Sequence, residues 1–171
     1  NLLSNALKFT PTGGRVRVED CRPDHLVALL DALYRAGVPL ERGKDWIETQ
    51  PRDPKDRLRP TDITTQPYPG FPTDLQAQWM ALMALADGVS VITERIFPDR
   101  YMHLAEILRL GARIRRQETA AGVEGVPALS GASIMASDLR ASAALVLAGL
   151  VAKGQTKVHR VYHIDRGYER I

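Results

Sequence analysis

The sequence has a single cysteine, Cys21, in 171 residues. That excludes an internal disulfide framework and fits a reducing cytoplasm. Aromatic residues are scarce at 6%, and Trp46 and Trp79 read as core or cleft-edge residues rather than stacking platforms. Charge of one sign is lacking too: the formal net charge is only +3 and the basic residues are scattered, so there is no case for a nucleic-acid partner. No apolar run approaches the roughly 20 residues of a membrane span, and no signal peptide is visible, so no membrane partner is expected. A metal cluster is also missing. His159 and His163 stand four apart in a strand pattern, which does not bring them to one ion, and no Cys or Glu group joins them. No metal and no cofactor are expected.

What remains is ordinary globular material, 44% hydrophobic and 25% charged, enough for one domain with a real core. The chain opens on Asn1 inside a helical pattern and stops at Ile171 just as another helix should begin, so a fragment of a longer protein is expected. Strands are expected at 15–20, in short pieces around Gly43 between Val38 and Thr49, and at 62–66, 89–96, 112–116, 123–127, 132–135 and 156–162. Helices are expected at 24–36, 74–86, 101–110 and 141–152. The Pro-bounded, charged run 51–60 reads as an exposed hairpin loop, with Arg57 and Arg59, like Lys44, solvated. The segments HLVALLDALYRAGV and HLAEILRLGARI are alike enough to suggest an internal duplication. Alternation of helices and strands means α/β layers, and connections too short for helical crossovers require antiparallel pairs among them.

An arginine next to an aspartate stands at three expected helix starts: Asp99-Arg100, Asp138-Leu139-Arg140 and Asp165-Arg166. A helix start is already partly positive, so cations are out of place there unless an anion is to be bound. Either each arginine pairs with its own aspartate and points into water, or the three converge on a ligand such as phosphate. At FPTDLQAQ, Thr73 is a plausible N-cap with Gln76 completing a capping box. Asp74 then lies in the first turn, behind the rigid YPGFP turn, where it either steadies the helix start or aims a carboxylate at a ligand hydroxyl. His25 and His103 fall near helix starts and read as packing or capping residues.

The segments YPGFPTDLQAQ, ITERIFPDRYMH, LSGASIMASDLRASAALVLAGL and YHIDRGYERI together resemble the UDP-N-acetylglucosamine 1-carboxyvinyltransferase family of enolpyruvyl transferases, from about Gly14 to Ile171. The resemblance implies an α/β (more finely α+β) domain of repeated βαβαββ units, mixed four-stranded sheets around buried helices, here an incomplete copy of the second of two domains. It implies transfer of the enolpyruvyl group of phosphoenolpyruvate to the 3′-hydroxyl of UDP-N-acetylglucosamine, the first committed step of peptidoglycan synthesis. By the same resemblance Asp74 contacts and deprotonates that hydroxyl, and the backbone at Ile96 holds the uridine nucleotide. Arg100, Arg140 and Arg166 line the place of phosphoenolpyruvate and leaving phosphate, and Asp138 is a further substrate-contacting carboxylate. The acid for the methylene carbon is a cysteine on a mobile loop of the other domain. Cys21 has no such loop around it and reads as a small buried or half-buried residue. The chain alone is therefore expected to be inactive, with the missing N-terminal domain of the same enzyme as its partner. The related 3-phosphoshikimate transferase is the alternative within the class, disfavoured by ITERIF and HIDRGYERI.

The first residues disagree. NLLSNALKFTPTGG resembles the N-box of sensor histidine kinases, in which Asn1, Asn5 and Lys8 would face ATP and its magnesium. The later glycine boxes of that fold are absent. Residues 1–13 are therefore expected to form a helix foreign to a transferase domain spanning 14–171, joined to it by accident of fusion. An ATP-binding kinase fragment is the alternative function.

Overall fold

The computed structural model describes residues 15–53 and 55–168. The helix expected over 1–13, with Asn1, Asn5 and Lys8, lies outside them. Three successive units follow. The first contains β1 (Val16–Val18), a 3-10 turn (Pro23–Leu26) leading into α1 (Val27–Arg35), then β2 (Leu40–Arg42) and β3 (Ile47–Thr49). These strands form an antiparallel sheet in the order β1-β3-β2. The second unit runs β4 (Ile63–Thr64), a 3-10 turn (Thr73–Leu75) with α2 (Gln76–Met83), β5 (Val89–Thr93), α3 (Leu104–Arg109), β6 (Arg113–Gln117) and β7 (Ala120–Glu124). That is a complete βαβαββ unit. Its sheet is mixed, in the order β4-β5-β7-β6, with only β4 and β5 parallel. The third unit contributes β8 (Ser133–Met135), α4 (Leu139–Val151) and β9 (Lys157–His159), the two strands running parallel.

A helix, a glycine and a strand meet twice with one geometry. Gly37 and Gly111 end α1 and α3 with φ of 84° and 86°, a left-handed conformation that costs other residues about 1–2 kcal/mol. At each joint the residue after the glycine donates back over the last turn: Val38 N–H to the Leu33 carbonyl, Ala112 N–H to that of Ile107. The duplication read from the sequence is thus a duplication of backbone. All eight residues of α2 are buried, and α2 packs along α4 between the sheets. Met80, Met83, Ile92, Ile107, Leu129 and Leu145 are the large side chains at the centre.

Several boundaries move. The strand expected at 123–127 begins at Ala120, because the run Ala120-Ala121-Gly122 is paired on both sides, by β5 and β6. Pairing there overrides weak strand propensity. The strand expected to reach Tyr162 stops at His159, since Arg160 takes a left-handed φ of 61°. No helix starts at Asp165-Arg166: a 3-10 turn (Val161–His163) comes first, and Arg166 lies in the turn after it. The 51–60 segment contains no hairpin among its described residues. Arg57 anchors it instead, donating to the carbonyls of Ala86 (2.6 Å) and Val126 (3.2 Å) and pairing with Asp87.

Candidate active site

The site is built on the loop between β4 and α2. Thr65 pairs with Phe71 across the neck of the loop, Gln66 N–H donates to the Phe71 carbonyl, and Gly70 N–H closes a turn on Pro67. A Cβ at Gly70 would run into the Gln66 side chain, so the turn needs glycine there. Phe71 is buried edge-on against Trp79, 5.6 Å between ring centres, which fixes the loop to the core. The chain then enters the 3-10 turn at Thr73 and presents Asp74, about half exposed at 53%.

Two of the three sequence-predicted arginines meet on that carboxylate. Arg140 grips it in bidentate fashion, Nε to Oδ1 at 2.6 Å and Nη2 to Oδ2 at 3.1 Å. Arg100 reaches Oδ1 with Nη1 at 2.9 Å while its guanidinium lies 4.1 Å over the Phe97 ring. Neither pairs with the aspartate beside it in sequence. Asp99 instead takes Arg116 at 3.2 Å, and Asp138 caps α4, its Oδ1 accepting from the Arg140 and Ala141 N–H groups at 2.9 and 3.0 Å. Two guanidiniums share one exposed carboxylate, so N–H donors are left over at the surface for an incoming anion, while Glu94 and Asp138 balance their charge.

The expectation of arginines at helix starts holds for Arg140, the second residue of α4, but not for the others. Arg100 precedes α3 by four residues. Arg166 is exposed and makes no ion pair with a described residue. Its neighbour Gly167 does sit against Leu139, where an added Cβ would come within 2.6 Å of the side chain. The chain at Arg166 therefore returns to the same end of α4 as Arg140, without its guanidinium joining Asp74.

Beneath Asp74 lies a group with no role assigned from the sequence. Glu94, fully buried at 0% exposure, follows β5 and receives four hydrogen bonds. Its Oε1 accepts from Thr65 Oγ1 (2.6 Å), Ile96 N–H (2.8 Å) and Phe97 N–H (3.0 Å), and its Oε2 from Thr73 Oγ1 (2.9 Å). Burial alone would push this carboxyl up, but those four donors outweigh it and hold it below the ordinary carboxylate value. Thr73 is thereby corrected from helix cap to linker. Pro72 is the N-cap of the turn, no side chain caps it, and the Thr73 proton goes to Glu94. A signal for Glu94 was present: along VSVITE it shares the period-2 face of Ser90 and Ile92, a face the sheet buries.

Ile96 lies on the rim, half-buried, its N–H taken by Glu94. Ile96, Asp74 and the YPG turn bound a cleft of about 320 Å³, closed on the far side by His25, Leu26 and Leu29 of the first unit. His25 meets Tyr68 edge-on at 6.2 Å there. His103 is buried, and its ring is held down to about 4, chiefly by burial, against the opposing pull of Asp138. Cys21 is half-buried against the Leu30–Ile47 cluster. No group of His, Cys, Asp and Glu able to hold a metal occurs among the described residues, and no described helix is long and apolar enough to cross a membrane.

Comparison with known proteins agrees with this architecture. The enolpyruvyl transferase NikO from Streptomyces tendae superposes with a TM-score of 0.86 at 28% identity, over 98% of this chain and 39% of that one. EPSP synthase from Acinetobacter baumannii shares the fold, with a TM-score of 0.61 at 18% identity over 92% of this chain. Curated relatives named UDP-N-acetylglucosamine 1-carboxyvinyltransferase match at 55% identity in Anaeromyxobacter sp. (strain Fw109-5) and 54% in Xylella fastidiosa (strain 9a5c). These alignments cover 93% and 94% of this chain but only 37% of each relative. The model of the EPSP synthase (3-phosphoshikimate 1-carboxyvinyltransferase) family matches residues 9–171, and the chain belongs to that family of enolpyruvyl transferases.

Proposed function

We propose that this chain forms one wall of a site that transfers the enolpyruvyl group of phosphoenolpyruvate to the 3′-hydroxyl of UDP-N-acetylglucosamine. The observation that carries the reading is the meeting of Arg100 and Arg140 on Asp74, from positions 40 residues apart, beside a cleft that Asp74 and Ile96 line. The names of the curated relatives, at 51–55% identity, supply the substrates.

The chemistry follows from the residues. The sugar hydroxyl gives its proton to Asp74, its oxygen adds to C2 of phosphoenolpyruvate, and C3 gains a proton to make a tetrahedral intermediate. C3 then loses a proton, the bond from C2 to the phosphate oxygen breaks, and inorganic phosphate leaves. Asp74 can act as the base only when its guanidiniums are drawn elsewhere, since a carboxylate neutralised by two cations is a poor proton acceptor. The phosphate and carboxylate of the substrate are the competitors that draw Arg100 and Arg140 away, with Arg166 and Asp138 completing the contacts. Anion arrival and exposure of the base are thereby one event. The Ile96 carbonyl accepts from the uracil side of the cleft. The acid for C3 comes from the cysteine loop of an N-terminal partner domain, so the residues of this chain by themselves bind but do not turn over. Such an enzyme serves peptidoglycan synthesis, and through it cell shape and division, in the cytoplasm.

Calorimetric titration of the chain separates the readings. Phosphoenolpyruvate and UDP-N-acetylglucosamine should bind and ATP should not. ATP binding in preference to both would overturn the proposal in favour of the kinase-like reading of Asn1, Asn5 and Lys8, and 3-phosphoshikimate binding in preference to the UDP-sugar would move it within the family.

A further inference from the structure

Threonine has one hydroxyl proton, and in this site one carboxylate decides where it points. Glu94 is ionised and takes no part in donating, so the Thr73 proton must lie along the 2.9 Å bond to Glu94 Oε2. The Thr73 oxygen is then left with lone pairs only, and it accepts from Arg100 Nη1 at 2.9 Å. The same logic repeats on the other side of the carboxylate. Thr65 gives its proton to Glu94 Oε1, and its oxygen accepts the Arg95 N–H at 2.9 Å. Two hydroxyls are thus turned so that each shows an acceptor to a donor above it. The remaining bonds of Glu94 fix the Ile96 and Phe97 N–H groups, hence the Ile96 carbonyl and the ring on which Arg100 rests. No water reaches Glu94, which is 0% exposed, so none can replace a lost partner.

We propose that Glu94 is a positioning residue for the anion site: by holding the Thr73 hydroxyl as an acceptor it fixes the Arg100 guanidinium when Asp74 lets go. This rests on the reading of Arg100 as a substrate contact. In the resting site Arg100 has three anchors, Asp74, Thr73 and the Phe97 ring. Once the substrate competes with Asp74, only Thr73 and Phe97 remain, and both are set by Glu94. The carboxylate touches no substrate. It acts through a single proton.

The test uses the 18.9 kDa chain, small enough for side-chain NMR. Three variants are compared with the parent. Glu94→Gln places an amide donor against Thr73 or gives up an acceptor, Thr73→Val removes the hydroxyl at nearly constant shape, and Thr73→Ser keeps it. The first readout is the order parameter of the Arg100 Nε–Hε group, taken in an Asp74→Ala background so that the Asp74 anchor is gone, and the second is affinity for phosphoenolpyruvate with Asp74 in place. Glu94→Gln and Thr73→Val should both release Arg100 to fast motion and weaken phosphoenolpyruvate by about tenfold. Thr73→Ser should restore both readouts, and the double variant should be no worse than either single one. Unchanged Arg100 order in Thr73→Val overturns the proposal, and that variant decides if Glu94→Gln fails to fold. Should Arg100 respond as expected while the parent does not bind phosphoenolpyruvate, the positioning role stands and the substrate assignment falls.

Discussion

Asp74 and Glu94 are two carboxylates of one site, linked through Thr73 and Arg100, and built in opposite ways. Asp74 is half exposed, and its partners are long guanidinium side chains. Glu94 is sealed, and its partners are backbone N–H groups and short hydroxyls that cannot swing away. Pairs of the first kind add little to stability and are easily exchanged for water or a competing anion. Networks of the second kind, fully satisfied in a low-dielectric interior, are rigid and costly to break. The site thus sets a replaceable contact on a fixed base, which is the arrangement a reaction needs when the same carboxylate must be parked and then released. Asp138 and His103 show the contrast again, a partly exposed capping carboxylate and a buried imidazole whose proton affinity burial lowers.

The contrast breaks most sharply at Asp74. In an enzyme that joins this domain to an N-terminal partner domain, Asp74→Asn should lower the rate of phosphate release by about 10²–10⁴-fold. The melting temperature of the isolated domain should stay within about 2 °C. A large stability loss with activity kept would show that Asp74 is the structural carboxylate. Next comes His103, through pH. Its folded value, about 4, is below the ordinary 6.5, so the unfolded chain binds the proton more readily. Stability from this group is full above pH 6.5 and is lost as pH falls toward 4, amounting to about 3 kcal/mol. Denaturant melts of His103→Gln across that window should show a flatter pH slope than the parent. Glu94, held below the ordinary carboxylate value, adds its own loss at still lower pH, as the folded carboxyl protonates. Third, Arg140→Ala should weaken phosphoenolpyruvate by about ten- to hundredfold, the loss of a charge-assisted contact, with KM rather than folding responding. The smallest effect belongs to an exposed pair outside the site. A double-mutant cycle on Asp31 and Arg35, 2.9 Å apart on α1, should give a coupling of about 0.3–0.5 kcal/mol. A coupling well above about 1 kcal/mol would show that exposed pairs in this chain are not the weak, exchangeable contacts described here.

Much of the fold was legible because its signals are local. Apolar spacing marked α1, α2, α3 and α4 to within a few residues, and the glycine joints marked where α1 and α3 stop. Where the reading slipped, pairing partners distant in sequence decided the outcome. Ala120 and Gly122 are strand residues only because β5 and β6 flank them, and Arg57, though still exposed, is pinned only because the Ala86 and Val126 carbonyls lie within its reach. In the site, residue types at Asp74, Arg100, Asp138 and Arg140 could be picked out, but the partners could not. The nearby aspartate is the natural guess for each guanidinium, but Asp99 takes Arg116 and Asp138 accepts the Arg140 backbone N–H instead. Thr73 misled for a similar reason. A capping box and a threonine that serves a buried carboxylate look identical along the chain.

Sequence alone determined the layers, the glycine turns and the chemical inventory, since periodicity and backbone freedom act over a few residues. Tertiary structure alone decided that Arg100 and Arg140 share Asp74 while Arg166 stays apart from it, and that Glu94 is the hub beneath. Long side chains reach about as far as the separation between neighbouring elements, so the choice among partners depends on which loops the packed core brings side by side.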